Sequence, residues 1–152
     1  MKHECAVELV NHVCTQLQLS NKSFQEIYHF LISPNSLDVA IENGIEEIVR
    51  ILLLQFPDLI NVNVREQSYR KILQAAIEYR QENIVNVIKE MPTTAKELGA
   101  YYIESGNTLH LAGRLAPASK LFSVSGAALQ MQRELQWFKV SIMSNYFNTT
   151  HF

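Results

Sequence analysis

The sequence predicts an all-α protein built from stacked helical repeats, and three observations lead to this fold class. The 152 residues include only five glycines and four prolines, and 13 of the 15 acidic residues are glutamate, a composition that favours helix over turn-rich β structure. Apolar residues recur at three- and four-residue spacing, as on one face of a helix. Two segments 36 residues apart resemble each other, as in helical-repeat proteins.

Length and charge exclude several classes of protein. A chain of 152 residues corresponds to one domain, and its net charge of −2 with 47% hydrophobic residues fits neither a disordered protein nor a basic nucleic-acid binder. Glu4 and Glu8 lie where a signal peptide needs an apolar core. The longest aliphatic run, residues 51–54, is far shorter than the roughly 20 residues of a membrane helix. We therefore expect a cytoplasmic chain without a nucleic-acid partner or membrane insertion of its own.

Residues 1–35 predict a pair of helices that precedes the repeats. Apolar residues have helical spacing in both halves of this segment, and Asn21 or Ser23 can cap the second helix. Pro34 ends that helix, because a proline disfavours helical dihedrals at the residue before it. The pair is either a cap on the repeats or an additional degenerate repeat.

The repeats themselves begin at Ser36. Residues 37–52 align with residues 73–88, with seven of the sixteen pairs identical, and residues 109–112 begin a third copy. Each copy predicts a short inner helix followed by a longer outer helix. The inner helices share a small residue where two backbones approach closely: Ala40, Ala76 and Ala112.

The turn between inner and outer helix is also predicted from the sequence. Gly44 lies at this turn in the first copy, where a positive φ lets the chain reverse. Arg80 occupies the same position in the second copy and must adopt that conformation less comfortably. The connector at 58–69 is polar and lacks helical periodicity, so it predicts an extended finger or hairpin.

These residues resemble a known family. The sequences AIENG at 40–44 and EIVRILL at 47–53 are similar to the end of an ankyrin repeat's inner helix and to its outer helix. GNTLHLA at 106–112 resembles the Gly-x-Thr-Pro-Leu-His-x-Ala opening of that repeat. HLAGRLAP at 110–117 and SGAALQMQRELQWFK at 125–139 resemble the last ankyrin segment of plant proteins that carry a C-terminal PGG domain, including the accelerated-cell-death and salt-tolerance ankyrin proteins.

The resemblance implies an ankyrin-type solenoid of about three degenerate repeats over residues 36–139, with a divergent tail at 140–152. It also implies structural roles for Thr108 and His110, which hydrogen-bond around the start of the inner helix in ankyrin repeats. Family members are membrane-anchored scaffolds in stress, defence or cell-death signalling. The membrane-spanning PGG domain has no counterpart in this sequence, so we expect a truncated gene, a splice form or a partial gene model.

No arrangement of residues predicts catalysis or a metal site. His3 and Glu4 are not followed by the second histidine of the zinc-protease motif. Cys5 and His12 are two ligands where zinc sites need three or four, and Cys14 lies within a predicted helix without an identifiable base. We therefore expect no catalytic residue, no metal and no cofactor.

Trp137 and Phe138 lie near the end of the predicted array, where the last repeat has one unstacked face. Such an aromatic pair either caps the core or docks another element. If it docks a segment that follows in the family, this chain exposes that surface, and self-association through the C-terminal repeat is the resulting hypothesis.

Ankyrin-type arrays bind proteins through their finger loops and inner helices, and this placement nominates ten residues with Tyr and Arg weighted most. They are Asn63, Arg65, Glu66, Tyr69 and Arg70 in the first finger, and Asp38, Glu42, Gln74, Glu78 and Tyr79 on the inner helices. The predicted function is a non-catalytic protein-interaction module. Two alternatives remain, a regulatory or non-functional fragment that competes with full-length relatives and, from a different class, a small helical enzyme.

Overall fold

The computed structural model describes residues 2–33, 35–65, 68–91, 108–121 and 126–146. These residues are mostly helical with little strand, which confirms the all-α class at that level. The α-helices are α1 (Lys2–Leu19), α2 (Phe24–Ile32), α3 (Ser36–Glu42), α4 (Glu46–Gln55), α5 (Ile72–Glu78), α6 (Glu82–Glu90), α7 (Thr108–Ala112), α8 (Ala118–Leu121) and α9 (Ala127–Tyr146). A 3-10 helix (Pro57–Asn61) leads into strands β1 (Asn63–Arg65) and β2 (Ser68–Lys71).

Ser23, one of the two predicted cap residues, caps α2. The backbone N–H of Glu26 donates to Ser23 Oγ at 3.4 Å, and the backbone N–H of Ser23 donates to Glu26 Oε2 at 2.8 Å. Two helix-end donors are thus satisfied reciprocally, which fixes where the helix begins. Pro34 lies outside the described residues, so its role as a helix stop stays a prediction.

The 36-residue period of the sequence is also the period of the helices. The first helix of each pair begins at residues 36, 72 and 108, and the second begins at residues 46, 82 and 118. The third pair keeps this spacing although α7 has only five residues and α8 only four. The three copies therefore share one local design, and the copies differ mainly in helix length.

The turns that join the helices of the first two pairs have the same backbone geometry. Gly44 has φ 69° and Arg80 has φ 58°, both in the left-handed region. In the first turn the N–H of Gly44 donates to Ile41 O and that of Ile45 to Ala40 O. The second turn repeats both bonds at positions 36 residues later. The positive φ predicted for Gly44 is thus observed, and a non-glycine residue adopts it in the second copy.

The helix pairs stack in two layers. In the inner layer α5 packs between α3 and α7, and in the outer layer α4 packs against α6. An ion pair joins the outer helices, with Arg50 Nη1 3.0 Å from Glu90 Oε2. At the N-terminal end α2 packs against α3 and α1 packs against α4. The N-terminal pair therefore covers both layers of the first repeat.

The predicted finger is a two-stranded antiparallel hairpin. β1 and β2 pair Asn63 with Lys71 and Arg65 with Ser68, with an irregularity in β1 between its paired residues. The hairpin packs on α3 and α5 through β1, and Tyr28 Oη donates to Asn63 O at 3.3 Å. The connector from 58 to 69 is only partly extended, because its first residues belong to the 3-10 helix.

Apolar side chains form one core that runs along the stack from Cys14 to Trp137. Trp137 is 8% exposed and belongs to this core, whereas Phe138 beside it is 36% exposed. Helix α9 packs against α7 and continues to Tyr146 without a break at the predicted boundary of 139 and 140. The tryptophan therefore covers the last described repeat.

Two adjacent polar residues tie the three copies together. Gln81 Nε2 donates to Glu42 O of the first copy at 2.6 Å. Arg80 Nη2 lies 3.3 Å from Ala112 O and 2.5 Å from Arg114 O of the third copy. Both residues are 8% exposed, so their bonds are shielded from competition with water. The second copy therefore holds both neighbours through residues at its own left-handed turn.

We predict that Gly44→Ala lowers the free energy of unfolding by more than Gly126→Ala does. Both glycines have positive φ, which costs an alanine about 1–2 kcal/mol. A Cβ at Gly44 would also lie 2.6 Å from Gln81 Oε1, whereas a Cβ at Gly126 meets no atom of the described residues within 4 Å. Displacing Gln81 breaks its bond to Glu42 O, an added loss of about 1–3 kcal/mol. Urea unfolding measures both variants.

The double variant Gly44→Ala with Gln81→Ala separates the two causes of the loss. If the contact with Gln81 is responsible, the double variant loses less free energy of unfolding than the sum of the losses in the two single variants. The proposed contact would be contradicted if Gly44→Ala and Gly126→Ala lost equal free energy of unfolding and the effects of Gly44→Ala and Gln81→Ala were strictly additive.

Candidate protein-binding surface

A group of charged and aromatic side chains lies on the inner layer, and we call it the inner polar cluster. It joins residues from α3, β2 and α5 and from the turn after α7. Its members are Asp38, Glu42, Arg70, Glu78, Tyr79 and Arg114. Five of the six were predicted from the sequence, and Arg114 was not.

Arg70 connects the hairpin to α5. Its Nη1 donates to Glu78 Oε2, and its guanidinium carbon lies 5.7 Å from the centroid of the Tyr79 ring. Burial acts to lower the pKa of Arg70, but the hydrogen bond and charge of Glu78 outweigh it, and the pKa is raised. Arg70 therefore stays cationic and holds a carboxylate and an aromatic ring in fixed positions.

Glu78 also faces the third copy. Its Oε1 lies 3.9 Å from Arg114 Nη1, an ion pair in which the Arg114 side chain is 55% exposed. Glu42, Glu78 and Arg114 occupy the same position of the three copies, since each is 36 residues from the next. The period alone was a signal that Arg114 belongs to this surface, because equivalent positions of stacked repeats adjoin one another.

Burial and neighbouring charges shift the pKa of Tyr79. Burial raises the pKa of the Tyr79 phenol, and the negative charge of Asp38 raises it further. Arg70 acts in the opposite direction through its charge and a hydrogen bond, while Glu42 adds a smaller increase. The phenol thus stays protonated at neutral pH and keeps an O–H donor beside two carboxylates.

Two of the predicted binding residues do not belong to an exposed surface. Asp38 is 0% exposed and Gln74 is 1% exposed. Gln74 Oε1 accepts from the backbone N–H of Lys71 at 3.0 Å, so it holds the start of α5. Their place on the inner helices predicted exposure to a partner, but both residues are buried. The charge of Asp38 nevertheless acts on the cluster, because it raises the pKa of Tyr79.

The other predicted binding residues divide into two groups. Glu42 is exposed, and Asn63, Arg70, Glu78 and Tyr79 are partly exposed. Glu66 and the side chains of Arg65 and Tyr69 lie outside the described residues, so their assignment to the finger surface stays a prediction.

The residues predicted to have structural roles are placed as follows. Ala40, Ala76 and Ala112 are buried at 4%, 0% and 3% exposure, one in each inner helix. Thr108 is the first residue of α7, but its side chain lies outside the described residues. His110 is exposed on the same helix.

The described residues include no group of three or more His, Cys, Asp or Glu side chains that could hold a metal ion. The helices in the described ranges include none with the length and apolar character needed to cross a membrane. The cysteines remain as free thiols, Cys5 exposed and Cys14 buried, and burial raises the pKa of Cys14.

Comparison with known proteins identifies no family: no family model, curated protein or solved structure matches the chain.

We predict that Arg70→Met raises the pKa of Tyr79 further, because it removes the cation that stabilises the phenolate, and that Glu42→Gln lowers it. The Tyr79 pKa is already above 10.0, its ordinary value, through burial and Asp38. Titration of ring-labelled tyrosine by ¹³C NMR measures each shift. A Tyr79 pKa that is unchanged in both variants would contradict the cluster.

The same pKa gives a pH dependence of stability. Because the pKa of Tyr79 is higher in the folded state, its contribution is fully present below pH 10 and is lost as the pH rises through the folded pKa. Between about pH 8 and pH 11, the free energy of unfolding of the Tyr79→Phe variant should therefore fall by less than that of the parent chain.

Proposed function

We propose that the chain is a non-catalytic protein-interaction module built as an ankyrin-type solenoid of about three repeats. The observation that carries the proposal is the 36-residue period of the helix starts, combined with stacking of the helix pairs in two layers. Helical repeats of this length bury their apolar faces against neighbouring repeats and leave a continuous surface for partners. The hairpin before α5 supplies the finger expected at this place in each repeat.

The inner polar cluster is the proposed contact surface. Glu42, Arg70, Tyr79 and Arg114 combine both signs of charge with an aromatic ring, and each is at least partly exposed. Tyrosine and arginine are enriched among residues that dominate binding energy. Arg70 is already held by Glu78, so a partner does not have to order it, and less conformational entropy is lost on binding.

The resemblance to plant ankyrin proteins with a PGG domain supports a role for this module as a cytoplasmic scaffold in stress, defence or cell-death signalling. Self-association through the C-terminal repeat is a further part of the proposal. Met131, Leu135 and Phe138 lie at helical spacing on α9 and are 63%, 55% and 36% exposed, so an apolar stripe is available there.

A repeat architecture predicts that one unit can be duplicated. We expect a chain with a second copy of residues 36–71 inserted before Ile72 to fold, because the added unit meets faces like its own on both sides. The urea m-value should rise by about a quarter, in proportion to the added folded residues. A scrambled insert of the same composition and length is the control and should leave the m-value unchanged. Equal m-values for the two insertions would contradict the solenoid.

The location of the contact surface is tested by two matched charge reversals. Glu42→Lys changes the inner polar cluster, whereas Glu47→Lys makes the same change on α4 of the outer layer, and both positions are exposed. The parent chain is used to capture proteins from plant extract. We expect Glu42→Lys to abolish this capture or to lower the affinity of the captured proteins at least about tenfold. The Glu47→Lys chain should retain them.

Loss of the same proteins with both variants, or with Glu47→Lys alone, would place the contact elsewhere. Thermal unfolding of both variants is the control that tests whether either charge reversal acts by unfolding the chain.

A further inference from the structure

Helix α9 docks on the stack through a narrow face. Among its described side chains, those of residues 127–139, Trp137 alone is buried, while Gln130 and Glu134 are partly buried. These three residues are spaced four and three apart, so they share one face of the helix. Gln130 Nε2 donates to Leu121 O at 3.0 Å. A helix that buries one apolar side chain over this length opens at a lower free energy than the core of a domain.

The guanidinium of Arg80 joins this face of α9 to the third copy. Its Nη2 lies 2.7 Å from Glu134 Oε2, 2.5 Å from Arg114 O and 3.3 Å from Ala112 O. The Arg80 side chain is 5% exposed, and that of Glu134 is 27% exposed. One buried nitrogen therefore contacts α9 and the main chain at the end of α7 together.

Arg80 caps the C-terminal end of α7. The last carbonyl groups of a helix have no partner within that helix, and a cationic side chain placed there satisfies them. Helix α7 has only five residues, too few to be stable without contacts from outside. The position of the chain directly after α7, where Arg114 lies, therefore depends on the side chain of Arg80.

Glu134 in turn keeps Arg80 in place. A buried guanidinium that loses its carboxylate partner is strongly destabilised, because its charge is removed from water without compensation. When α9 leaves the stack, Arg80 loses Glu134 and gains hydration by turning away from the two carbonyl groups. Release of α9 thus also releases the chain around Arg114.

Arg114 is the residue that the third copy contributes to the inner polar cluster, where its Nη1 lies 3.9 Å from Glu78 Oε1. We propose that docking of α9 controls this cluster, with Arg80 as the positioning residue between them. Docked α9 holds Arg114 beside Glu78, and released α9 frees it. The inference rests on the proposed function, which makes the cluster the contact surface. A partner that binds the ordered cluster then also favours docking of α9, because such coupling is reciprocal.

Amide hydrogen exchange followed by NMR tests the proposal on the full chain. The N–H of Arg114 donates to Leu111 O at 3.3 Å, so its exchange rate reports whether the turn after α7 is held. Trp137 is the single tryptophan of the chain, and its fluorescence reports whether α9 is docked. We expect Glu134→Ala to speed exchange at Arg114 at least about tenfold and to shift the Trp137 emission to longer wavelength.

The matched control is Glu90→Ala. Glu90 is likewise paired with an arginine of another copy, Arg50, at 3.0 Å, but in the outer layer. Exchange at Arg114 should stay within about twofold of the parent chain, because an exposed ion pair contributes little. The N–H of Gly44 belongs to the first turn, and its unchanged exchange shows that the chain is folded. If Glu134→Ala unfolds the chain, Glu134→Gln replaces it, with a smaller expected effect.

Arg80→Gly removes the link between Glu134 and Arg114. Gly44 occupies the equivalent position of the first copy with positive φ, so glycine fits this left-handed turn. We expect Arg80→Gly to speed exchange at Arg114 as Glu134→Ala does. In the double variant Glu134→Ala should have little further effect, because the residue through which it acts is absent.

Two outcomes would overturn the proposal. In the first, Glu134→Ala leaves exchange at Arg114 unchanged, whether or not Trp137 becomes exposed, so that α9 covers the stack without controlling the surface. In the second, the effects of Glu134→Ala and Arg80→Gly on that exchange add, so that the coupling does not pass through Arg80. Neither measurement involves a partner protein. The coupling is therefore confirmed or contradicted independently of where the charge reversals on α3 and α4 locate the contact surface.

Discussion

The stack depends on the left-handed turn that ends each of the first two inner helices. One residue with positive φ at position 44 and again at position 80 lets its own N–H and that of the next residue bond back to the helix just completed. The outer helix then starts two residues later, antiparallel neighbours become possible within one copy, and the next copy can repeat the arrangement. Without this reversal neither layer could form, because α3 and α5 would continue beyond their neighbours.

The two turns meet this constraint by different chemistry. Gly44 has no side chain, and the space where its Cβ would lie is occupied by the amide of Gln81. Arg80 adopts the same conformation at a cost of about 1–2 kcal/mol for a non-glycine residue. Its guanidinium reaches Ala112 O, Arg114 O and Glu134, and these bonds offset that cost. The strained residue is therefore also the one that attaches the third copy and α9 to the stack.

Local features of this chain could be predicted from its sequence, whereas the burial of polar residues and the contacts between residues distant in the sequence could not. The helix pairs, the cap at Ser23, the hairpin and the turn at Gly44 follow from periodicity and residue type within a few positions. Asp38 and Gln74 were assigned to the surface because they lie on the inner helices, but both are buried, in helices that pack against the hairpin and against each other. The bond of Arg80 to Glu134 spans 54 residues, and no periodicity relates those two positions.

The repeat nevertheless indicates where the chain departs from its own pattern, and these departures coincide with its most distinctive polar contacts. Positions that remain alike, such as Ala40, Ala76 and Ala112, are buried between helices. Equivalent positions that differ supply the interactions: glutamate changes to arginine between positions 78 and 114, and this change creates the ion pair with Glu78. Likewise, the change from Gly44 to Arg80 provides the bonds to Ala112 O, Arg114 O and Glu134. Stacking thus constrains the positions that stay alike, while the positions at which the copies diverge supply polar contacts between them.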